Sequence, residues 1–264
     1  MSTVTDDGHP TGTAVSAERP GAGERERRGI RDDEPAYVLH TYPFKETSLV
    51  VEVFSRNLGR LGLVARGARR PKSSLRGLLM AFQPLSLSWA GRAELRTLHR
   101  AERLTGHAQL SGLGLMCGFY LNELMLKLLA REDPHEELYR AYEEALVAFR
   151  GGEPPAWALR RFEKKLLREL GYGMLLENDV DGRPIQPEAS YTYVLERGPE
   201  LVSTRSPAPA IELVGKTLLD IAADDYREAL TLTQSRALMR FVLNHYLGGQ
   251  MLHTRQLLRD LQQL

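Results

Sequence analysis

The periodicity of the chain changes once, near residue 107, and that change limits what it can build. From Tyr37 to Glu102, apolar residues fall in short β-rich runs: AYVLHTYPF, SLVVEVFS, RLGLVARGA, LLMAFQPLSLSWAG and ELRTLHRAE, parted by RNLG, RRPKSS and AGR. Alternation at period two puts every second side chain on one face of a strand. Five such runs in about 70 residues are the material of a small barrel, OB-type or SH3-like. Asn57-Leu58-Gly59 reads as a hairpin turn, since Asn and Gly tolerate positive φ.

Beyond residue 110 the period becomes helical. Leu121, Leu124, Met125, Leu128 and Leu129 form one stripe; Leu138, Tyr142, Leu146 and Phe149 form a second. Leu159, Phe162, Leu166 and Leu170 form a third, with Gly171 placed to stop its helix. SRALMRFVLNHYLGG and HTRQLLRDLQQL read as two further helices, Thr254 serving as N-cap of the last. The intervening stretch is polar and rich in Pro and Gly, with room for a short hairpin. The expected division is a disordered tail over 1–34, a barrel over 35–107, a helical domain over 108–176, and an insertion plus C-terminal helices over 177–264. The tail assignment rests on its few large apolar groups, which cannot offset the entropy of ordering.

Several functions are disfavoured by composition. No run approaches the length of a membrane span, and the N-terminus lacks an apolar signal core, so a cytoplasmic protein is expected. A single cysteine, Cys117, precludes an internal disulfide and any zinc site built on several thiolates; it reads as a buried structural thiol. The histidines show neither HxxxH nor HExxH spacing, and Glu143–Glu144 lie together on a helix exterior, so no catalytic constellation is found. Glu177, Asp179, Asp181, Gly182 and Glu188 mimic the spacing of a calcium loop, but Pro184 and Pro187 interrupt it and a strand follows where a helix should. Gly215-Lys216-Thr217 lacks the upstream glycine of a phosphate loop, Ala210 standing in its place. No metal and no cofactor are expected.

Charge distribution is more informative than the net charge of +1. Between Val53 and Ala93 lie eight cations (Arg56, Arg60, Arg66, Arg69, Arg70, Lys72, Arg76 and Arg92) and no acid. A run without counter-charges repels itself unless an external polyanion relieves it, and a small barrel is a scaffold that tracks nucleic-acid backbones. Phe54, Phe82 and Trp89 are interleaved as barrel core or as stacking platforms. A second basic cluster, Arg161, Lys164, Lys165 and Arg168, shares one helix face, with Glu163 and Glu169 as balancing charges and Arg160 adjoining. It fits a solvated face or a second anion site.

GRLGLVARGARRPKSSLRGLL, FQPLSLSWAGRAELRTLHRAE, YLNELMLKLL, LYRAYEEAL, FEKKLLRELGYG and YLGGQMLHTRQLLRDL, in this order, resemble the RecO family of bacterial DNA repair and recombination mediators. The resemblance runs from Ala36 to Leu261. It implies an α+β protein: an N-terminal OB-fold barrel, a mainly helical domain, and a C-terminal β insertion that holds zinc through four cysteines in some members. Here Asn178 and Asp181 occupy the positions of a first cysteine pair, so a non-zinc insertion is expected. The resemblance also implies a non-enzymatic protein of the bacterial nucleoid that binds single- and double-stranded DNA and anneals complementary strands. It would help load recombinase onto strands coated by single-strand-binding protein, with RecR and the acidic tail of that protein as partners. The expected DNA-binding residues are Arg60, Arg66, Arg69, Arg70, Lys72 and Arg76. The expected peptide-binding residues are Lys127, Arg131, Arg161, Lys164, Lys165 and Arg168. An RNA-binding module or a structural adaptor on the same barrel is the rival reading.

Overall fold

A computed structural model describes residues 29–104, 109–202 and 210–261. The first element is a closed barrel of five strands: β1 (Arg31–Phe44), β2 (Ser48–Ser55), β3 (Gly59–Ala65), β4 (Pro84–Ala90) and β5 (Leu95–Arg103). Their order is β1-β2-β3-β5-β4, closed by β4 on β1, with β3–β5 the parallel pair and the others antiparallel. That order is the OB topology and sets aside the SH3-like alternative.

β1 begins earlier than composition indicates. Residues 31–34, expected within the tail, pair with β4 (Arg31 opposite Trp89, Glu34 opposite Leu87). The polar segment is held by hydrogen bonds that composition does not reveal. The buried Glu34 carboxylate accepts from the Ser55 hydroxyl (2.6 Å), the Asn57 N–H (2.9 Å) and the Asn57 side-chain amide (3.1 Å). The remainder of the expected tail, residues 1–28, lies outside the described residues. In the β2–β3 hairpin only Gly59 takes positive φ (70°), Asn57 being used instead to satisfy Glu34.

The helical part comprises α1 (Gly112–Leu128), α2 (Glu136–Ala148) and α3 (Pro155–Glu169). Pro155 stands at the first turn of α3, where a missing N–H costs nothing, and Gly171 (φ 83°) follows its end. A three-stranded antiparallel sheet follows, β6 (Ser190–Val194), β7 (Gly198–Leu201) and β8 (Ala210–Val214), with β6 in the middle. The chain then forms α4 (Gly215–Ala222), α5 (Ala229–Tyr246) and α6 (His253–Leu261). Sequence periodicity foresaw the β6–β7 hairpin but neither β8 nor α4. Thr254 is not the N-cap of α6. It lies inside the first turn, and the cap comes from another helix: Glu123 of α1 accepts from the His253 and Thr254 N–H groups and the Thr254 hydroxyl, at 2.7–2.9 Å.

Two cores result. Val38, Val51, Val53, Leu61, Leu63, Leu85, Leu87 and Trp89 fill the barrel. The larger core joins the helices to Tyr37, Leu39, Phe54 and Phe82 of the barrel half, so β1 is buried on both faces. Phe54, Phe82 and Trp89 are therefore core residues and stack on nothing outside. A polar seam reinforces the junction. The Asn122 amide donates to the Leu39 carbonyl (2.9 Å) and accepts from the Tyr142 hydroxyl (2.6 Å), while the Tyr37 hydroxyl donates to Glu143 (3.2 Å). Arg56 pairs with Glu136 (2.8 Å), Arg96 with Glu132 (2.9 Å), and Arg131 with both Glu52 and Glu94.

Candidate nucleic-acid interface

The acid-free run divides into two populations. Arg66, Arg69, Arg70, Lys72 and Arg76 occupy the connection between β3 and β4, and all five are exposed. No described acid pairs with any of them. The connection is ordered from within: Arg70 N–H donates to the Gly67 carbonyl, Ser73 N–H to Arg70, and a 3-10 turn spans Ser74–Gly77. Ala68 and Leu79 anchor it in the barrel core. Arg69 N–H donates to the Thr47 carbonyl (2.9 Å) and its guanidinium to the Lys45 carbonyl (3.2 Å), which clamps the loop against the β1–β2 turn.

Arg60 belongs to the other population. Its guanidinium donates to the Leu126 carbonyl at the end of α1 (2.6 Å), and burial lowers its pKa below the ordinary arginine value. It serves the seam between barrel and helices, as does Arg56. Of the six expected DNA-binding residues, five are gathered on one exposed loop and Arg60 is not among them.

Three neighbours escaped the sequence reading. Lys45 is exposed in the β1–β2 turn, 5.4 Å over the Phe44 ring, and Arg103 at the end of β5 reaches the Gly77 carbonyl (3.5 Å). Tyr42 is an exposed aromatic on β1, with the His40 ring edge-on at 4.4 Å. Register places Tyr42 opposite Val50 and Val50 opposite Val64, so the three share the outer face that Arg66 extends. Lys45 and Arg103 each stand beside an acid in sequence, Glu46 and Glu102, which hides them from a search for uncompensated runs. Arg100, not Arg103, holds Glu102 (2.7 Å). The β2–β3 face and the β1–β2 turn are among the places where OB barrels take oligonucleotides.

The second predicted cluster is also divided. Arg161, Lys164, Lys165 and Arg168 line one groove of about 550 Å³ between α2, α3 and the chain after α3, with Phe162, Met174 and Leu176 as apolar lining. Lys127 and Arg131 lie elsewhere. Lys127 donates to the Met251 carbonyl (2.7 Å) and Arg131 serves the seam. Within the groove Lys164 caps the end of α4, donating to Ile221 and Ala222 carbonyls and pairing with Asp224 (2.6 Å). Lys165 pairs with Glu137 (3.1 Å) and Glu169 (3.4 Å), and Arg161 with Glu153. Arg168 is exposed and has no ion pair among the described residues.

The two decoys are explained by local bonding. Asp179 accepts from the Asp181 and Arg183 N–H groups, closing a turn on itself. Lys216 pairs with Asp220 (2.9 Å), and the Thr217 hydroxyl donates to Gln234 (2.6 Å). Arg160 forms a buried pair with Glu163 (2.9 Å), which also accepts from the Tyr120 hydroxyl of α1 (2.5 Å).

An OB barrel with an uncompensated basic loop, joined to a helical bundle through a common core, defines a protein built around an oligonucleotide-binding scaffold. The chain belongs to the RecO family. Residues 32–107 match the N-terminal model of recombination protein O and residues 109–245 the C-terminal one. It is 55% identical over 235 residues to the DNA repair protein RecO of Nitrosospira multiformis, covering 89% of this chain and 97% of that one. It is 50% identical to the protein of the same name from Ralstonia nicotianae over 253 residues, 96% of this chain and 93% of the relative. The relative from Aromatoleum aromaticum is 53% identical over 235 residues, 88% and 97%.

Proposed function

We propose that this chain is a non-enzymatic DNA-binding mediator of recombinational repair, which anneals complementary strands and helps load recombinase onto strands coated by single-strand-binding protein, with RecR as partner. The observation that carries the reading is the loop of Arg66, Arg69, Arg70, Lys72 and Arg76: exposed cations without an acid partner, on the rim of an OB barrel beside Tyr42. Five phosphate contacts release counterions without reading sequence, and Tyr42 offers one base a stacking face. Annealing follows as a charge effect, since neutralising two strands on one molecule raises their local concentration and lowers their repulsion.

Charge reversal at Arg69, Arg70 and Lys72 tests this. Removing three contacts at about 0.7 each takes about 2 off the slope of log affinity against log salt for single strands. An unchanged affinity and slope overturns the assignment. Annealing assays with DNA and RNA strands, with and without single-strand-binding protein, separate the mediator from an RNA-binding module on the same barrel.

The groove of Arg161, Lys164, Lys165 and Arg168 supports a second contact, with the acidic, apolar-ended tail of single-strand-binding protein. The groove's cations, Arg140 included, outnumber the acids Glu137, Glu144, Glu177 and Asp224, and its apolar lining suits the apolar end of the tail. Arg168 is its one member without an ion pair among the described residues, so Arg168→Glu weakens binding of the tail peptide in fluorescence anisotropy. Intact binding removes the groove from the proposal.

A further inference from the structure

Arg236 and Arg240 are exposed, one turn apart on α5, and neither has an ion pair or hydrogen bond among the described residues. Most cations of the helical half are in ion pairs: Arg140, Arg160, Arg161, Lys164, Lys165, Lys216 and Arg227. The whole of α5, ALTLTQSRALMRFVLNHY, contains no acid. Thr233, Arg236, Ala237, Arg240, Phe241 and Asn244 follow one another at helical spacing and line a shallow groove of about 370 Å³. Beside Asn244 stands Arg255 of α6, which donates to the Asn244 side chain (2.8 Å) and to the Tyr120 hydroxyl (2.9 Å) and has no ion pair among the described residues.

We infer that this face of α5 is a second phosphate-binding surface, which holds a second DNA strand while the barrel loop holds the first. The inference rests on the DNA-binding reading given above. Charge complementarity decides the occupant. Arg236 and Arg240 stand about 6 Å apart along the axis, at 1.5 Å rise per residue, a step of the same order as that between neighbouring phosphates of an extended strand. Around them the helix face is open and carries small and polar side chains, Thr233, Ala237 and Asn244, which leave room for a sugar-phosphate chain to lie along it. An acidic peptide ending in a large apolar group finds no comparable apolar pocket here; half-buried Phe241 is the one large apolar lining residue. The surface lies on different elements from the 66–77 loop. Two strands on separate surfaces of one molecule are what annealing requires.

The test uses the full chain and two non-complementary probes, donor-labelled and acceptor-labelled oligo(dT), whose energy transfer reports co-occupancy of one protein. The double variant Arg236→Glu/Arg240→Glu is expected to keep first-strand affinity within about twofold and to abolish energy transfer. The charge-preserving pair Arg236→Lys/Arg240→Lys is expected to retain most of it. Two lost contacts take about 1.4 off the salt slope of second-strand binding. Both arginines are exposed, so an unchanged thermal midpoint shows that the variant is folded. Full energy transfer from the folded glutamate variant overturns the inference, and so does loss of acidic-peptide binding with co-occupancy unchanged. Failure of the barrel-loop variants to alter first-strand affinity overturns the reading of the loop instead, which keeps the two outcomes distinct.

Discussion

At the scale of single residues, Gly59 shows how closely the two halves approach. Its φ of 70° is costly for residues bearing a Cβ, and a Cβ there would overlap the Asp133 carbonyl in the loop before α2. Gly59→Ala is expected to destabilise the protein by about 2–4 kcal/mol, strain and overlap together, read as a lower urea midpoint. A loss under about 1 kcal/mol would show that the contact is slack. Cys117 makes a different prediction. Burial, partly offset by Arg160, pushes its thiol up to about 11. A raised folded pKa means that the stabilisation is complete below the ordinary thiol pKa of about 8.5 and is lost as pH rises through the folded value. The native chain therefore resists iodoacetamide at pH 8, and alkylation appears only with unfolding. Sequence made Cys117 legible as a structural thiol because its neighbours are apolar. It could not separate Arg60 from Arg66. Both lie in the same acid-free run, and only the packing of α1 on the start of β3 takes one of them out of water.

At the scale of elements, strands and helices were legible where one face alone is buried, since alternation and stripes then survive in the sequence. β1 departs from this at Ala36–Leu39, buried on both faces, and at Arg31–Glu34, where hydrogen bonds replace apolar burial. α4 and β8 were missed because each is short and joins the core through few residues, chiefly Leu213, Leu218 and Ile221. With Thr254 as cap, the sequence places the entry to α6 two residues late; the helix begins at His253 and its cap is supplied from 130 positions away, beyond the reach of any local rule. Burial alone would raise the Glu123 pKa. The Thr254 hydroxyl, the two backbone donors and Lys127 outweigh it and hold the carboxyl below its usual range. With a lowered folded pKa the cap is complete above about 4.3 and is lost as pH falls through the folded value. Glu123→Gln keeps the shape but not the charge, and is expected to cost about 1 kcal/mol. Hydrogen exchange of Gln256–Leu261 should then quicken about fivefold, with α1 amides unchanged. An unaltered rate would mean that the cap does not hold the helix down.

At the scale of the molecule, the two family models divide the chain at residue 108, yet the physical division lies elsewhere. Tyr37, Leu39 and Phe54 leave the barrel sheet and enter the helical core, so a barrel without its helices would expose three large apolar side chains. The seam adds an ionic clasp in which Arg131 bridges Glu52, only 3% exposed, to Glu94. Taking one partner from a buried pair leaves the other charge uncompensated and costs about 3–5 kcal/mol, whereas replacing both by neutral groups costs far less. Arg131→Met should therefore lower the stability of barrel and helices together, and Arg131→Met/Glu52→Gln should restore most of it. The two tryptophans make the joint response measurable, because Trp89 lies in the barrel core and Trp157 packs on the helical one. In a Trp157→Phe background Trp89 fluorescence follows the barrel while far-ultraviolet ellipticity follows the helices. Coincident urea midpoints, shifted equally by Arg131→Met, are the expected outcome. Separate midpoints would mean that the seam is a contact between independent domains. The basic loop and the α5 face would then no longer be held at a fixed distance, and annealing would need a linker's freedom instead of one rigid body carrying both strands.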